Sequence, residues 1–224
     1  MSSRREFVKF ATASLGLASA KVYAKARTPE EALGNLIAGN RRFAKGEASG
    51  PRRRPEDFRA LAEAQYPEAV IVSCSDSRVA PESLFDVGVG DVFVIRVAGN
   101  VIGGAGATVK GSIEYAIAEL NTPLIVVLGH SGCGAVNSAI NHIDGQDRLP
   151  GAIDGLVELV KPAVVKSQGM PGDPLENAIR ANVELGVQRL KMLEPIIAPR
   201  VKNGTVKVIG GVYDLKTGLV TLGK

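Results

Sequence analysis

Residues 123–135 read Pro-Leu-Ile-Val-Val-Leu-Gly-His-Ser-Gly-Cys-Gly-Ala, "PLIVVLGHSGCGA". The first part is apolar throughout, bounded by a proline and a glycine, as a strand covered on both faces requires. Strands of that kind belong to parallel sheets with helices on either side. The second part places His130 and Cys133 where that strand gives way to the next element. A shorter apolar run, Ala69–Ser73, leads just as directly into Cys74-Ser75-Asp76-Ser77-Arg78, "CSDSR". The chain has only two cysteines, and each follows a buried strand.

Outward from these runs, strand and helix patterns alternate. Further strands are predicted over residues 92–97 and 205–213, and an edge strand over 219–222 after a turn at 214–218. Helices are predicted over 108–120, 133–143, Ile153–Ser167, and from the Asp173 cap to about Pro195. The polar, basic segment 46–54 reads as a connector. Thr28-Pro29-Glu30-Glu31 is a capping box with proline at the first helical position, opening an amphipathic helix on Leu33, Leu36, Ile37 and Ala44. Together these predict an α/β fold: a mostly parallel central sheet of about four strands plus an antiparallel edge strand, flanked by helices, with an N-terminal helical arm.

Composition narrows the function classes. The chain has 224 residues, of which 45% are apolar and 22% charged, enough for one good core. The net charge is a modest +4, aromatics make up 4%, and tryptophan is absent. A basic stripe interleaved with stacking aromatics is missing, so nucleic acid is not an expected partner. Ser3-Arg4-Arg5-Glu6-Phe7-Val8-Lys9 resembles a twin-arginine export signal. A short apolar stretch and small-residue cleavage sites follow it, too short for a stable membrane anchor after processing. Residues 1–26 are therefore read as a signal, residues 27–224 as one α/β domain, and the mature protein as periplasmic or otherwise exported.

In open α/β sheets, functional groups gather beyond the carboxyl ends of the strands. If the strands before Cys74 and His130 are neighbours, two thiolates and an imidazole converge there. That ligand set suits zinc and leaves a fourth tetrahedral position open. A disulfide, or two buried small hydrophobes, is the competing reading of Cys74 and Cys133. Asp76 and Arg78, at alternate positions of an extended segment, would point the same way beside the metal; alone, they could equally form a structural ion pair. Val79 and the Ala98-Gly99 turn would offer apolar surface to an uncharged substrate. A thiol nucleophile at Cys133, activated by His130, is a further rival.

"CSDSR" followed by "GHSGCGA", in C-x55-H-x2-C spacing, resembles the β-class carbonic anhydrases. The likeness runs from "EALGNLIAGNRRFAKG" through "GDVFVIRVAGNVI" and "SIEYAI" to "VIGGVYDLKTG". It implies one Zn²⁺ per chain on Cys74, His130 and Cys133, and reversible hydration of CO₂ to bicarbonate and a proton by zinc-bound hydroxide. It also implies that Asp76 accepts the hydroxide's hydrogen bond and that Arg78 holds Asp76 in place. Asp76 becomes a possible fourth ligand in an inactive state. The resemblance further implies a homodimer or homotetramer, with the helix over residues 33–44 packed on the partner.

The match has departures. Where many relatives carry a glutamine, the loop Asp86-Val87-Gly88-Val89-Gly90-Asp91 has no amide. Arg96 and Tyr213 match positions of a regulatory bicarbonate site in some bacterial members, but Ile71 stands where the tryptophan belongs. His142 is read as a helix-end residue rather than a proton relay, and Gly103, Gly104 and Gly106 lack the G-x-G-x-x-G of a dinucleotide site. Hydrolysis of carbonyl sulfide or carbon disulfide on the same scaffold, and a non-catalytic zinc-binding protein, are the alternative functions.

Overall fold

The two apolar runs form the centre of the sheet. In the computed structural model, which describes residues 28–104, 106–145 and 148–223, β1 (Ala69–Ser73) and β3 (Leu124–His130) are buried at every position. They lie side by side, with β2 (Val92–Arg96) outside β1 and β4 (Lys207–Tyr213) outside β3. These four strands are parallel; β5 (Val220–Leu222) closes the far edge antiparallel to β4. The signal expected over residues 1–26 lies outside the described residues.

Alternation along the strands divides the core in two. Val70, Val72, Ile125 and Val127 face α4 (Gly106–Ala118), α7 (Pro174–Lys191) and α8 (Ile197–Lys202) through Ile113, Ile117, Val183, Leu190 and Ile197. Ala69, Ile71, Leu124, Val126 and Leu128 face α1 (Pro29–Ala44) and α3 (Pro81–Leu84) through Ala32, Leu36 and Leu84. Truncating one of these fully buried side chains, Ile125→Ala for example, should cost about 2–5 kcal/mol. A third cluster joins α5 (Gly134–Asn141), α6 (Ile153–Ser167) and α7 at the carboxyl end of the sheet.

The capping box forms as the sequence predicts. Glu31 N–H donates to Thr28 Oγ1, and Thr28 N–H to Glu31 Oε2, each at 3.1 Å. The helix it opens also packs on its own domain. Ala32 and Leu36 are buried against this chain's own sheet. Buried Asn40 clips the helix down: its Nδ2 donates to the carbonyls of Leu84 and Gly218, and its Oδ1 accepts from Val220 N–H. At the helix end Arg42 Nε lies 2.6 Å from buried Asp86, whose carboxylate also accepts from Ser49 Oγ and Gly50 N–H.

Several boundaries differ from the sequence reading for local reasons. β3 runs on through His130 instead of ending at Leu128, because the ladder to β4 continues to the pair His130–Tyr213. Cys133 caps α5 rather than starting it. α7 stops at Lys191, and α8 follows as a separate helix beyond Pro195. α2 (Pro55–Arg59) and α3 are single turns opened by proline, too short to show helical periodicity. Among the described residues, no helix is long and apolar enough to cross a membrane.

Candidate metal centre

The winding of the sheet decides where the chemistry gathers. From β1 the chain moves outward to β2, then returns past β1 to β3. Neighbouring strands whose connections leave in opposite directions open a crevice at their carboxyl ends. Ser73 is level with Leu128 across the β1–β3 ladder, so Cys74 emerges beside the end of β3, where His130 is the last residue. Between His130 and Cys133 the chain must reverse within two residues. Gly132 takes φ 63° there, the left-handed region that glycine enters without penalty.

The result is a compact donor set. The ligand atoms of Cys74, His130 and Cys133 all lie within 4.8 Å of one another, on side chains 5%, 0% and 1% exposed. Both cysteines are free. His130 Nδ1 lies 3.0 Å from the carbonyl oxygen of Ser131. A carbonyl only accepts, so Nδ1 carries the hydrogen and Nε2 keeps its lone pair. Among the described residues that buried Nε2 has no hydrogen-bond partner, which costs about 1–3 kcal/mol unless a cation meets it. Ser131 is fixed in turn, its N–H donating to Tyr213 O and its Oγ accepting from Leu215 N–H.

The thiols point to the same need. A hydrogen bond from Cys133 pulls the Cys74 thiol down to about 4 against the opposing effect of burial, with the N–H groups of Asp76 and Gly99 adding to it. Cys133 is pushed above the usual thiol range by Cys74 and by burial. One sulfur ionises because the other stays protonated. A divalent cation removes that conflict by favouring both thiolates. The same arrangement disfavours Cys133 as a free nucleophile, since its thiol is buried and held neutral.

Asp76 stands at the rim of the set, its Oδ2 3.9 Å from His130 Nε2. Arg78 grips it with a two-pronged fork, Nε to Oδ1 at 2.9 Å and Nη2 to Oδ2 at 2.7 Å. Those bonds hold the Asp76 carboxyl well below the usual carboxylate range, and the partner carboxylate raises Arg78. The pair does not arise from an extended segment. Arg78 N–H also donates to Asp76 Oδ1, and Val79 N–H to Asp76 O, so the chain turns here and the turn brings the two side chains together.

Other sequence-predicted positions separate. Val79 belongs to the core on the α1 face with Ile71 and Leu84; Gly99 is at the site, its N–H 3.3 Å from Cys74 Sγ. Ile71 lies mid-strand, fully buried, and Tyr213 packs its ring 6.4 Å from Phe43. The Arg96 guanidinium turns instead to main-chain carbonyls of the Cys74–Asp76 segment. The Asp86–Asp91 loop is tied to the N-terminal segment through Arg42 and Arg52. Cβ atoms at Gly103 and Gly104 would meet the Arg189 and Leu159 side chains, and Gly104 and Gly106 take φ of 77° and 82°, so packing and backbone conformation together account for that glycine run. His142 closes α5 at the end away from Cys133, on the order of 13 Å along the axis. The roles of Ser131, whose carbonyl selects the His130 tautomer, and of Arg96 at the main chain had no signature in the sequence.

Residues 69–220 match the family model described as carbonic anhydrase. The carbonic anhydrase of Mycolicibacterium smegmatis is 40% identical over 194 residues, covering 87% of this chain and 93% of its own length. Among solved structures, the β-carbonic anhydrase CcaA superimposes with a TM-score of 0.67 at 30% identity, covering 86% of this chain and 95% of its own. A tetrameric β-carbonic anhydrase of the ascomycete Sordaria macrospora gives a TM-score of 0.65 at 27% identity, covering 85% and 95%.

Proposed function

The chain belongs to the β-class carbonic anhydrase family, and from that premise we propose that it catalyses the reversible hydration of carbon dioxide to bicarbonate and a proton. The observation that carries the proposal is the buried His130 Nε2, without a hydrogen-bond partner among the described residues, in a set whose ligand atoms lie within 4.8 Å of one another. Cys74, His130 and Cys133 form a soft three-donor set, and the proposed cofactor is one Zn²⁺ per chain. When bound, the metal lowers the pKa of its water toward ~7 and so supplies hydroxide near neutral pH.

The remaining roles belong to the chain itself. Asp76, kept ionised by Arg78, accepts a hydrogen bond at the open position and aims the nucleophile at carbon. Arg78 holds that carboxylate at the rim; if the fork opens, Asp76 is free to become a fourth ligand and close the site. Val101, Val136 and Ala139, packed with both cysteines, make the surroundings apolar and suit an uncharged linear substrate. The twin-arginine-like segment over residues 1–26 is proposed to export the protein to the periplasm.

A homodimer or homotetramer is the proposed assembly, supported by the tetrameric relative. Although α1 packs on its own sheet, a groove of about 250 Å³ beside it is lined by Leu33, Ile37, Val126, Leu219 and Val220. A stable, active monomer in sedimentation at micromolar concentration would refute the assembly.

The activity is tested by stopped-flow CO₂ hydration between pH 7 and 9, alongside zinc analysis. Turnover with one zinc per chain is expected. A zinc-loaded protein inert to CO₂ but active on carbonyl sulfide or carbon disulfide would move the reaction to those substrates. Inertness to all three would leave a zinc-binding protein without catalysis.

A further inference from the structure

The β1–β2 ladder stops short of the site. Val97 N–H donates to Ser73 O, and beyond that pair the carbonyls of the Cys74–Asp76 segment leave the sheet. Arg96, the last residue of β2 and level with Ser73, reaches across this gap. Its Nε donates to the carbonyl oxygen of Cys74 at 3.2 Å, and its Nη2 to that of Asp76 at 2.6 Å. One planar fork thus spans the main chain on both sides of Ser75. A lysine, with a single ammonium, could satisfy one of these acceptors but could not bridge both in a fixed geometry.

We propose that Arg96 is a positioning residue for the reaction: it fixes the main chain that carries Asp76, as Arg78 fixes the Asp76 carboxylate. The two arginines act on different parts of one residue. Arg78 sets the orientation of the carboxylate, and Arg96 sets where its backbone starts, and hence how far the carboxylate stands from the metal position. With Asp76 Oδ2 already 3.9 Å from His130 Nε2, a small shift of this segment changes whether the carboxylate accepts a hydrogen bond or reaches the metal itself. Arg96 also couples the site to β2, the half-exposed strand at one edge of the sheet. The inference rests on the hydration reading above only where turnover is the readout.

The test compares Arg96→Lys and Arg96→Ala with the unaltered chain, in zinc-loaded and cobalt(II)-substituted forms. Metal content, melting temperature, CO₂ hydration per bound metal and the visible cobalt spectrum are measured. Arg96→Lys is expected to stay folded and metal-loaded, to lose about tenfold in turnover, as outer-sphere partners of metal sites do, and to shift the cobalt d–d bands. In an Asp76→Asn background the same substitution should cost little further turnover, because its effect passes through Asp76. An unchanged spectrum with unchanged turnover in Arg96→Lys would overturn the proposal. So would an equal fold-loss in both backgrounds, or an insoluble Arg96→Lys, either of which would make the bridge an anchor of the fold. If the zinc-loaded unaltered chain fails to hydrate CO₂, the functional reading falls, while the cobalt spectra still decide whether Arg96 governs the site.

Discussion

The two loops that meet at the candidate metal centre are held by different means. On the β3 side His130 is fully buried, its tautomer set by the Ser131 carbonyl, and Cys133 is locked at the start of α5. On the β1 side Cys74 is buried as deeply as a core residue, yet Asp76 two positions later depends on Arg78, whose side chain is 57% exposed. The donor set is part of the core, whereas the carboxylate beside it is held by guanidinium groups at the solvent boundary. Interactions of that second kind are weaker, more easily screened and more easily rearranged. On the proposed reading, a site built this way would separate metal retention from control of the open position.

The sharpest way to break this comparison is to remove a core-side donor. Cys133→Ala should abolish stoichiometric metal binding and lower CO₂ hydration by more than the ~100-fold that loss of an outer-sphere partner costs. Metal analysis and stopped-flow rates check this, and tight one-to-one binding by the variant would show that the donor set is not what holds the ion. On the boundary side, Asp76→Asn and Arg78→Ala should keep both metal and melting temperature yet lose about tenfold or more in turnover, since ~1.4 kcal/mol of barrier is already a factor of ten. Full activity in both would make the pair structural.

Asp86 offers a buried carboxylate, paired with the part-exposed Arg42, away from the site. Burial raises its pKa, but the bonds from Arg42, Gly50 and Ser49 outweigh this and bring it down to about 2. Asp86→Asn tolerates the positive φ of this position while removing the charge. It should cost about 1.5–3 kcal/mol of stability, as loss of charge-assisted bonds does, with turnover per bound metal unchanged. Because the folded-state pKa lies below the ~3.9 of an unfolded aspartate, its contribution is fully present above about pH 4 and is lost as pH falls through about 2. Acid-unfolding curves of the two proteins should therefore converge in that window; parallel curves would remove Asp86 as the cause. The smallest effect is expected at Ser131, where Ser131→Ala loses one accepted bond from Leu215. About 0.5–1.5 kcal/mol in chemical denaturation, with the metal retained, is the expected result because the His130 tautomer depends on the main-chain carbonyl.

Much of this architecture was legible before any coordinates. β1 and β3 announce themselves as unbroken apolar runs, and the capping box at Thr28 and the Asp173 cap appear in the structure as the residues predict. Single-turn helices such as α2 and α3 do not, since four or five residues cannot display a periodicity of 3.6. What covers the buried part of the α1 stripe was not legible, for a different reason. An amphipathic face says that a surface must cover it, while the covering surface here, on β3 and α3 with the Asn40 clip to Gly218, is far away in sequence.

The sequence by itself determined the alternation of strands and helices, the doubly covered centre of the sheet and the three residues that offer soft donors. Those properties reside in short runs of residues and in side-chain chemistry. Only the tertiary structure decided which atoms face one another. The switch between β1 and β3 brings Cys74 to His130, the Ser131 carbonyl leaves Nε2 bare, and a turn rather than a strand delivers Arg78 to Asp76. Arg96 makes the point most directly. Its role comes from two main-chain carbonyls that come into reach through the register of β2 on β1. A carbonyl is present at every position in the chain, so no residue type marks the ones that matter.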